Sequence, residues 1–418
     1  MIIPQNGSAL RQDAAAIASE AIRSVLPDEA VARALKNREF GSGRLVLVAV
    51  GKAAWQMAKA ASDILGSRLD RGIVITKYDH VKGNIPRVVC REGGHPVPDE
   101  NGFAATEEAI GLVSGLSEED TVLFLLSGGG SALFEKPLIP GEELAGITRQ
   151  LLASGADIVE MNTVRKRLSA VKGGRFAGLC APARVYAVVL SDIIGDPLDM
   201  IASGPACPDA STCGDAKAVA ARYRLTLSPE AERLLETETP KSLPNVETVI
   251  TGSVRNLCRA AETACRARGY ETVYLTDRLN GEAREAGAFL ASIAASHQDT
   301  PVSLAYIAGG ETVVHLKGKG RGGRNQEIAL GAAAGLDGLD RTALFSLGSD
   351  GTDGPCDAAG GYVDDGTAGA LRAKGIDLHA VLADNDAYPA LDAVDGLIMT
   401  GPTGTNVNDV TVLLIRRP

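Results

Sequence analysis

Short, nearly continuous apolar runs punctuate this chain, separated by longer amphipathic stretches. "RLVLVAV" (44–50), "GIVIT" (72–76), "TVLFLL" (121–126) and "RVYAVVL" (184–190) place apolar residues at consecutive positions. A strand of that kind must be buried on both faces, which is the situation of a mostly parallel sheet with helices on either side. The alternation returns as "VETVIT" (246–251), "ETVYLT" (271–276), "VSLAYIA" (302–308), "TALFSLG" (342–348) and "VTVLLI" (410–415), with helical segments expected at about 254–268, 281–297 and 323–335. A first helix is expected after Ser8, a plausible N-cap, with Leu10, Ala14, Ile17, Ala21, Ile22 and Val25 on one stripe. A chain of 418 residues exceeds what one core usually organises. The proline-bearing stretch "ETETPKSLPNVET" (236–248) is the best linker, so two α/β domains are expected, 1–240 and 245–418.

The net charge of −10 argues against a general nucleic-acid binder, which needs a basic surface, but leaves room for a local anion pocket. The seven cysteines form no C-x-x-C pair, which weakens metal and redox readings and suits free thiols in a reducing compartment. The first residues lack a basic start followed by an apolar core, and no apolar run approaches the roughly 20 residues that cross a bilayer. The expectation is a cytoplasmic protein with no membrane or nucleic-acid partner.

In open α/β sheets ligands bind beyond the carboxyl ends of the strands, so the loops there carry the functional argument. After 44–50 comes Gly51-Lys52, a lysine at a helix start, where it opposes the helix dipole unless an anion sits nearby. After 121–126 comes Ser127-Gly128-Gly129-Gly130-Ser131, whose backbone N–H groups and hydroxyls suit a phosphate cradle, the alternative being a flexible turn. "MNTVRKRLSAVKGGRFA" (161–177) concentrates cations, with Asn162 and Arg165 on one helical face, and Arg165, Ser169 and Lys172 likewise. At least one of these arginines is expected to meet an anion.

After 184–190, Asp192 and Asp196 leave the strand end and Ser203-Gly204-Pro205 follows, which suits a Mg²⁺ site or a base for a hydroxyl, against simple turn chemistry. In the second half, Gly310-Glu311 follows a strand, Lys317, Lys319, Arg321 and Arg324 precede a helix, Asp350, Asp353 and Asp357 leave another strand, and "TGPTGTNVNDV" (400–410) precedes the last.

Taken in order, "LLSGGGSALFEKP", "MNTVRKRLSAVKGGRFA", "SDIIGDPLDMIASGPACPD", "GGETVVHLKGKGRGGRNQEIAL", "SLGSDGTDGPCDAAGGYVD" and "TGPTGTNVNDV" resemble the glycerate 2-kinase family, whose C-terminal half is called the MOFRL domain. The resemblance spans nearly the whole chain. It implies a Rossmann-like N-terminal domain, a C-terminal α/β domain and a site in the cleft between them. It further implies phosphorylation of the 2-hydroxyl of D-glycerate with ATP and Mg²⁺, by a monomer or homodimer. Under it, Lys52 and Arg324 are the catalytic cations and Asp192 orients or deprotonates the hydroxyl. Ser127, Gly128, Gly129, Gly130, Ser131, Gly310, Glu311, Asn325, Thr405 and Asn406 are expected to hold nucleotide phosphates. Asn162, Arg165 and Ser203 are expected to hold glycerate, and Asp196, Asp350 and Asp353 to hold metal. The first rival is a hydroxypyruvate reductase-type oxidoreductase, which would need a G-x-G-x-x-G fingerprint that is not evident. The second is a non-catalytic binding protein, against which Lys52, Asp192 and Arg324 speak together.

Overall fold

The computed structural model describes residues 8–418. They form two compact units, one from Ala30–Thr251 and one that joins the chain up to Glu29 to Gly252–Pro418.

The Ala30–Thr251 unit is built on β1 (Leu45–Val50), β2 (Arg71–Lys77), β3 (Val88–Gly93), β4 (Thr121–Leu126), β5 (Arg184–Leu190) and β6 (Val246–Gly252). They lie in the order β3-β2-β1-β4-β5-β6. The pairs β1–β2, β2–β3, β1–β4 and β4–β5 are parallel. Side chains alternate between two cores, as the two-residue period of a strand requires. Val46, Val48, Val50, Val122, Phe124 and Leu126 enter one; Leu45, Leu47, Ala49, Leu123 and Leu125 enter the other. The chain winds one way from β1 to β3 and the other way from β4 onward, so the carboxyl ends of β1 and β4 flank a topological switch point. That is where the glycine loops fall.

The second unit carries β7 (Glu271–Leu279), β8 (Leu304–Gly310), β9 (Thr342–Gly348), β10 (Gly360–Asp364), β11 (Leu397–Ile398) and β12 (Asp409–Ile415), ordered β11-β10-β9-β12-β8-β7. This sheet is mixed: β12 runs antiparallel to both β8 and β9, and β7 parallel to β8. Helices Ala283–Ser296 and Arg324–Leu336 pack on one face through Leu290, Ile328 and Leu330.

The other face corrects the expected domain boundaries. Helix Ala9–Ser24 forms as read, with Ser8 Oγ accepting from the Arg11 N–H. Its stripe, however, packs into one core with Leu257, Cys258 and Ala261 of helix Val254–Arg266 and with Ile307, Phe345 and Val412 of the sheet. Tyr270 Oη donates to Asp13 at 2.7 Å and Arg268 pairs with Glu20 at 2.7 Å, fixing the same contact. The first helix therefore belongs to the C-terminal unit, and the 246–251 strand belongs to the first sheet and not to the second series. β3, β10 and β11 were not legible as strands: β3 is an edge with alternating exposure, β10 opens on two glycines, and β11 has two residues. No described helix is long and apolar enough to cross a membrane.

Candidate active site

At the switch point β1 ends in Gly51, whose φ of +115° and 2.4 Å distance from a hypothetical Cβ to Ser127 O leave no room for a side chain. Lys52 follows. Its N–H donates to Gly128 O at 2.9 Å, and its ammonium forms no ion pair among the described residues. The β1 loop is thus laced to the β4 loop with a cation displayed beside it.

The three consecutive glycines each answer a different constraint. A Cβ on Gly128 would lie 2.1 Å from Asp192 Oδ2, so this position makes room for a carboxylate leaving β5. Gly129 has φ +88°, and a Cβ there would lie 3.0 Å from His95 Nε2 and 3.2 Å from Lys52 Cγ. A Cβ on Gly130 would lie 2.6 Å from the Ala202 Cβ, and Gly130 begins a helix of only one turn, Gly130–Leu133. Gly128 and Gly129 are partly exposed and form the floor of the site; Gly130 is packing.

Ser127 does not join that floor. Its buried hydroxyl donates to Val50 O (3.3 Å) and accepts from Ala53 N–H (3.1 Å), so it clamps the two loops together and is not a free donor to phosphate. Ser131 is partly exposed and joins the residues expected to hold substrate. Its Oγ lies 3.4 Å from Ser203 Oγ, Ser203 donates to Asn162 Oδ1 at 2.8 Å, and Arg165 donates to Ser131 O at 3.3 Å. Asn162 and Ser203 are buried and brace the group. Arg165 retains a buried Nε with no partner, a donor suited to a carboxylate. Ala202, Ser203 and Gly204 all have positive φ, a strained stretch pinned by Gly173 and Gly174 N–H donating to Ser203 O and Gly204 O.

Below this group lies a buried charge pair. Lys172 Nζ donates to Ser131 O (2.8 Å) and Phe134 O (3.2 Å) and sits 3.4 Å from Glu135 Oε2; both side chains have no exposure. Burial lowers the Lys172 pKa to about 8 against the attraction of Glu135. Lys172 thus fixes the end of the glycine loop from beneath.

No group of three His, Cys, Asp or Glu side chains among the described residues forms a ligand set. A Mg²⁺ carried on nucleotide phosphates needs only one or two protein carboxylates. Asp196, held at φ +54° on the loop after β5, has a buried Oδ1 with no hydrogen-bond partner and fits that role.

Of the other two expected metal ligands, Asp353 does not. Asp353 accepts from the N–H groups and side-chain amides of Asn325 and Gln326 at 2.9–3.3 Å, closing the first turn of helix Arg324–Leu336. Asp350 accepts from Thr352 N–H two residues on, an Asx turn.

Several expected phosphate ligands of the second unit are likewise occupied. Asn325 is buried between Asp353 and Ser346, whose Oγ donates to it at 2.6 Å. Thr405 Oγ1 donates to Val25 O at 2.8 Å, fastening the first helix. Asn406 differs, since only its Oδ1 is engaged, accepting from Asn408 N–H at 3.4 Å. Gly310 is a strand-packing glycine, where an added Cβ would lie 2.1 Å from Leu279 O.

What remains there is a cation between carboxylates. Arg324 donates to both oxygens of Asp409 (2.6 and 3.1 Å) and to Glu311 Oε1 (2.9 Å), while Asn408 Nδ2 donates to Glu311 Oε2 (3.2 Å). Burial opposes the Arg324 charge, but Asp409 and Glu311 outweigh it and raise its pKa. Burial also pushes Asp409 up to about 6, against the hydrogen bonds from Arg324. A guanidinium has five donors, and two remain for an anion.

His95, Lys172 with Glu135, and Asp409 are the functional candidates that sequence reasoning missed or left without a role. His95 stands in "GGHPVPD" (93–99), the same kind of glycine loop at a strand end, hidden because β3 was not seen as a strand.

Comparison with known proteins agrees with this architecture. Residues 13–236 match the family described as a domain of unknown function, DUF4147, and residues 304–409 match the MOFRL family. The chain is 51% identical over 412 residues to a D-glycerate 2-kinase from Thermotoga maritima, covering 97% of this chain and 98% of that protein. A crystal structure of glycerate kinase from Thermotoga maritima superposes with a TM-score of 0.93 at 50% identity, covering 97% of this chain and 99% of that one. The chain is also 42% identical over 391 residues to an Agrobacterium vitis protein provisionally named hydroxypyruvate reductase, covering 89% of this chain and 100% of that protein.

Proposed function

The chain belongs to the glycerate 2-kinase family with a C-terminal MOFRL domain, and from that membership we propose that it phosphorylates the 2-hydroxyl of D-glycerate with ATP. The observation that carries the reading is the meeting of Lys52, the Gly128–Gly129 floor and the Asp192 carboxylate at one switch point. Phosphoryl transfer asks for positioning and charge stabilisation more than covalent chemistry, and these groups supply both.

Lys52 stabilises negative charge on the transferring group. Asp192 orients the attacking hydroxyl and takes its proton. Arg165, with its free Nε, and Ser131 hold the glycerate carboxylate, braced by Asn162 and Ser203. Asp196 is the ligand for Mg²⁺, which when bound neutralises phosphate charge. Arg324 is assigned as a second charge-stabilising cation.

The relative named a hydroxypyruvate reductase is less similar than the D-glycerate 2-kinase, and the sequence offers no dinucleotide site to support that name. The turn after β1 reads Gly51-Lys52-Ala53-Ala54, without the glycines that let a pyrophosphate approach the backbone. The decisive experiment is incubation with D-glycerate and Mg-ATP, resolving the product as 2- or 3-phosphoglycerate. Formation of ADP and 2-phosphoglycerate is expected. Exclusive 3-phosphoglycerate, or NADH-dependent reduction of hydroxypyruvate without ATP, would overturn the reading.

A further inference from the structure

His95 stands over the floor of the site with nothing to hold. Its Nε2 lies 3.0 Å from the position a Cβ would take on Gly129, and the Lys52 side chain flanks the same point at 3.2 Å. Neither ring nitrogen has a hydrogen-bond partner among the described residues. The imidazole is half-buried. A half-buried imidazole without a protein partner keeps a donor and an acceptor to offer a ligand.

The loop that carries His95 is itself firmly built. A Cβ on Gly94 would lie 2.4 Å from Val97 O, which fixes a tight turn. Asp99 closes it from the far side, accepting from Gly102 N–H at 2.9 Å and from Tyr78 Oη at 2.6 Å. A ring set on so fixed a loop is aimed, and it is aimed at Gly129.

Resting on the reading above, we propose that His95 is a substrate-contacting residue of this site, its imidazole hydrogen-bonding the anion that Lys52 and the glycine floor receive. The charged and titratable groups around the ring support this. Lys52 at the end of β1, Lys77 at the end of β2 and His80 beyond it all face His95, and together with burial, the larger effect, they lower its pKa. The Asp192 carboxylate lies against the adjoining residue of the glycine floor, Gly128. In the free protein the imidazole is therefore uncharged at neutral pH and offers one N–H and one lone pair. An arriving anion offsets the field of the two lysines, so binding and protonation of His95 become linked.

The test uses two readouts on the full chain. Imidazole ¹⁵N–¹H spectra of the wild-type protein, assigned with His95→Gln, are followed while D-glycerate and inorganic phosphate are added in separate titrations. The His95 signals should move with at least one of these anions, and its apparent pKa should rise. In steady-state assays His95→Ala and His95→Gln should lower kcat/KM roughly 10- to 100-fold for D-glycerate and for ATP alike, because the anion it contacts is the transferring group. The Gln variant should retain more activity, because its amide reproduces one hydrogen bond. Ring signals that ignore both anions, or wild-type constants in both variants, overturn the proposal. A wild-type protein that makes no phosphoglycerate, yet shows His95 shifts with phosphate, contradicts the proposed reaction and supports the His95 contact.

Discussion

The Asp192 carboxylate lies so close over Gly128 that a single added methyl would meet its Oδ2 at 2.1 Å. Gly128 is absent from the positive-φ positions, so alanine is compatible with its backbone and acts only through the carboxylate. Gly128→Ala should therefore fold and lower kcat in the same direction as Asp192→Asn. The double variant should lose little more than the stronger single one, since both disturb one group. Full additivity in kcat would detach Gly128 from the chemistry.

Lys52→Ala should lower kcat by roughly 10²–10³, the usual loss when one electrostatic stabiliser is removed, with a smaller change in KM. Arg324→Ala should do the same if it acts on developing charge. Either variant raising KM alone would make its cation a ground-state binder.

Lys172 and Glu135 predict a different signature. Removing one partner of a buried pair leaves the other charge uncompensated, at about 3–5 kcal/mol. Lys172→Met should lose stability on that scale in chemical denaturation, whereas Lys172→Met with Glu135→Leu should recover a good part of it. A double variant as unstable as the single would show that the bonds from Lys172 to Ser131 and Phe134 matter more than the charge.

Asp409 gives the second unit a pH dependence whose sign can be worked out. Its folded pKa, about 6, lies above the ordinary 3.8, so the folded state holds the proton more tightly. The stability this contributes is fully present below about 3.8 and is lost as pH rises through about 6. The thermal midpoint of Asp409→Asn relative to wild type should therefore climb between pH 4 and pH 7, whatever its constant offset from the altered Arg324 site. A flat difference would remove Asp409 as the titrating group.

Much of this was legible in the sequence for a local reason. Glycine after an apolar run marks a strand end, and Lys52, Gly128 and Asp192 all sit at such ends in one parallel sheet. What was not legible depends on partners distant in the chain. Ser127 reads as a phosphate donor until Val50 and Ala53 are seen to occupy it. Asp353 reads as a metal ligand until the helix start at Asn325 and Gln326 takes both its oxygens. The first helix shows a correct apolar stripe, yet a stripe does not say which core it enters.

The placement of that helix has a consequence for biosynthesis. The Ala30–Thr251 unit is one continuous segment and is complete before the rest of the chain leaves the ribosome. Helix Ala9–Ser24 is made earlier still, but the core it enters includes Val412 and Leu414 of β12, near the other terminus. β12 is also the strand that joins β8 to β9, so without it the second sheet falls into two pieces. The first helix must therefore wait for helix Val254–Arg266 before it meets its first partner, and for β12 before that core closes. A chain arrested before helix Val254–Arg266 would present a finished first unit carrying an exposed apolar helix, a ready substrate for chaperones.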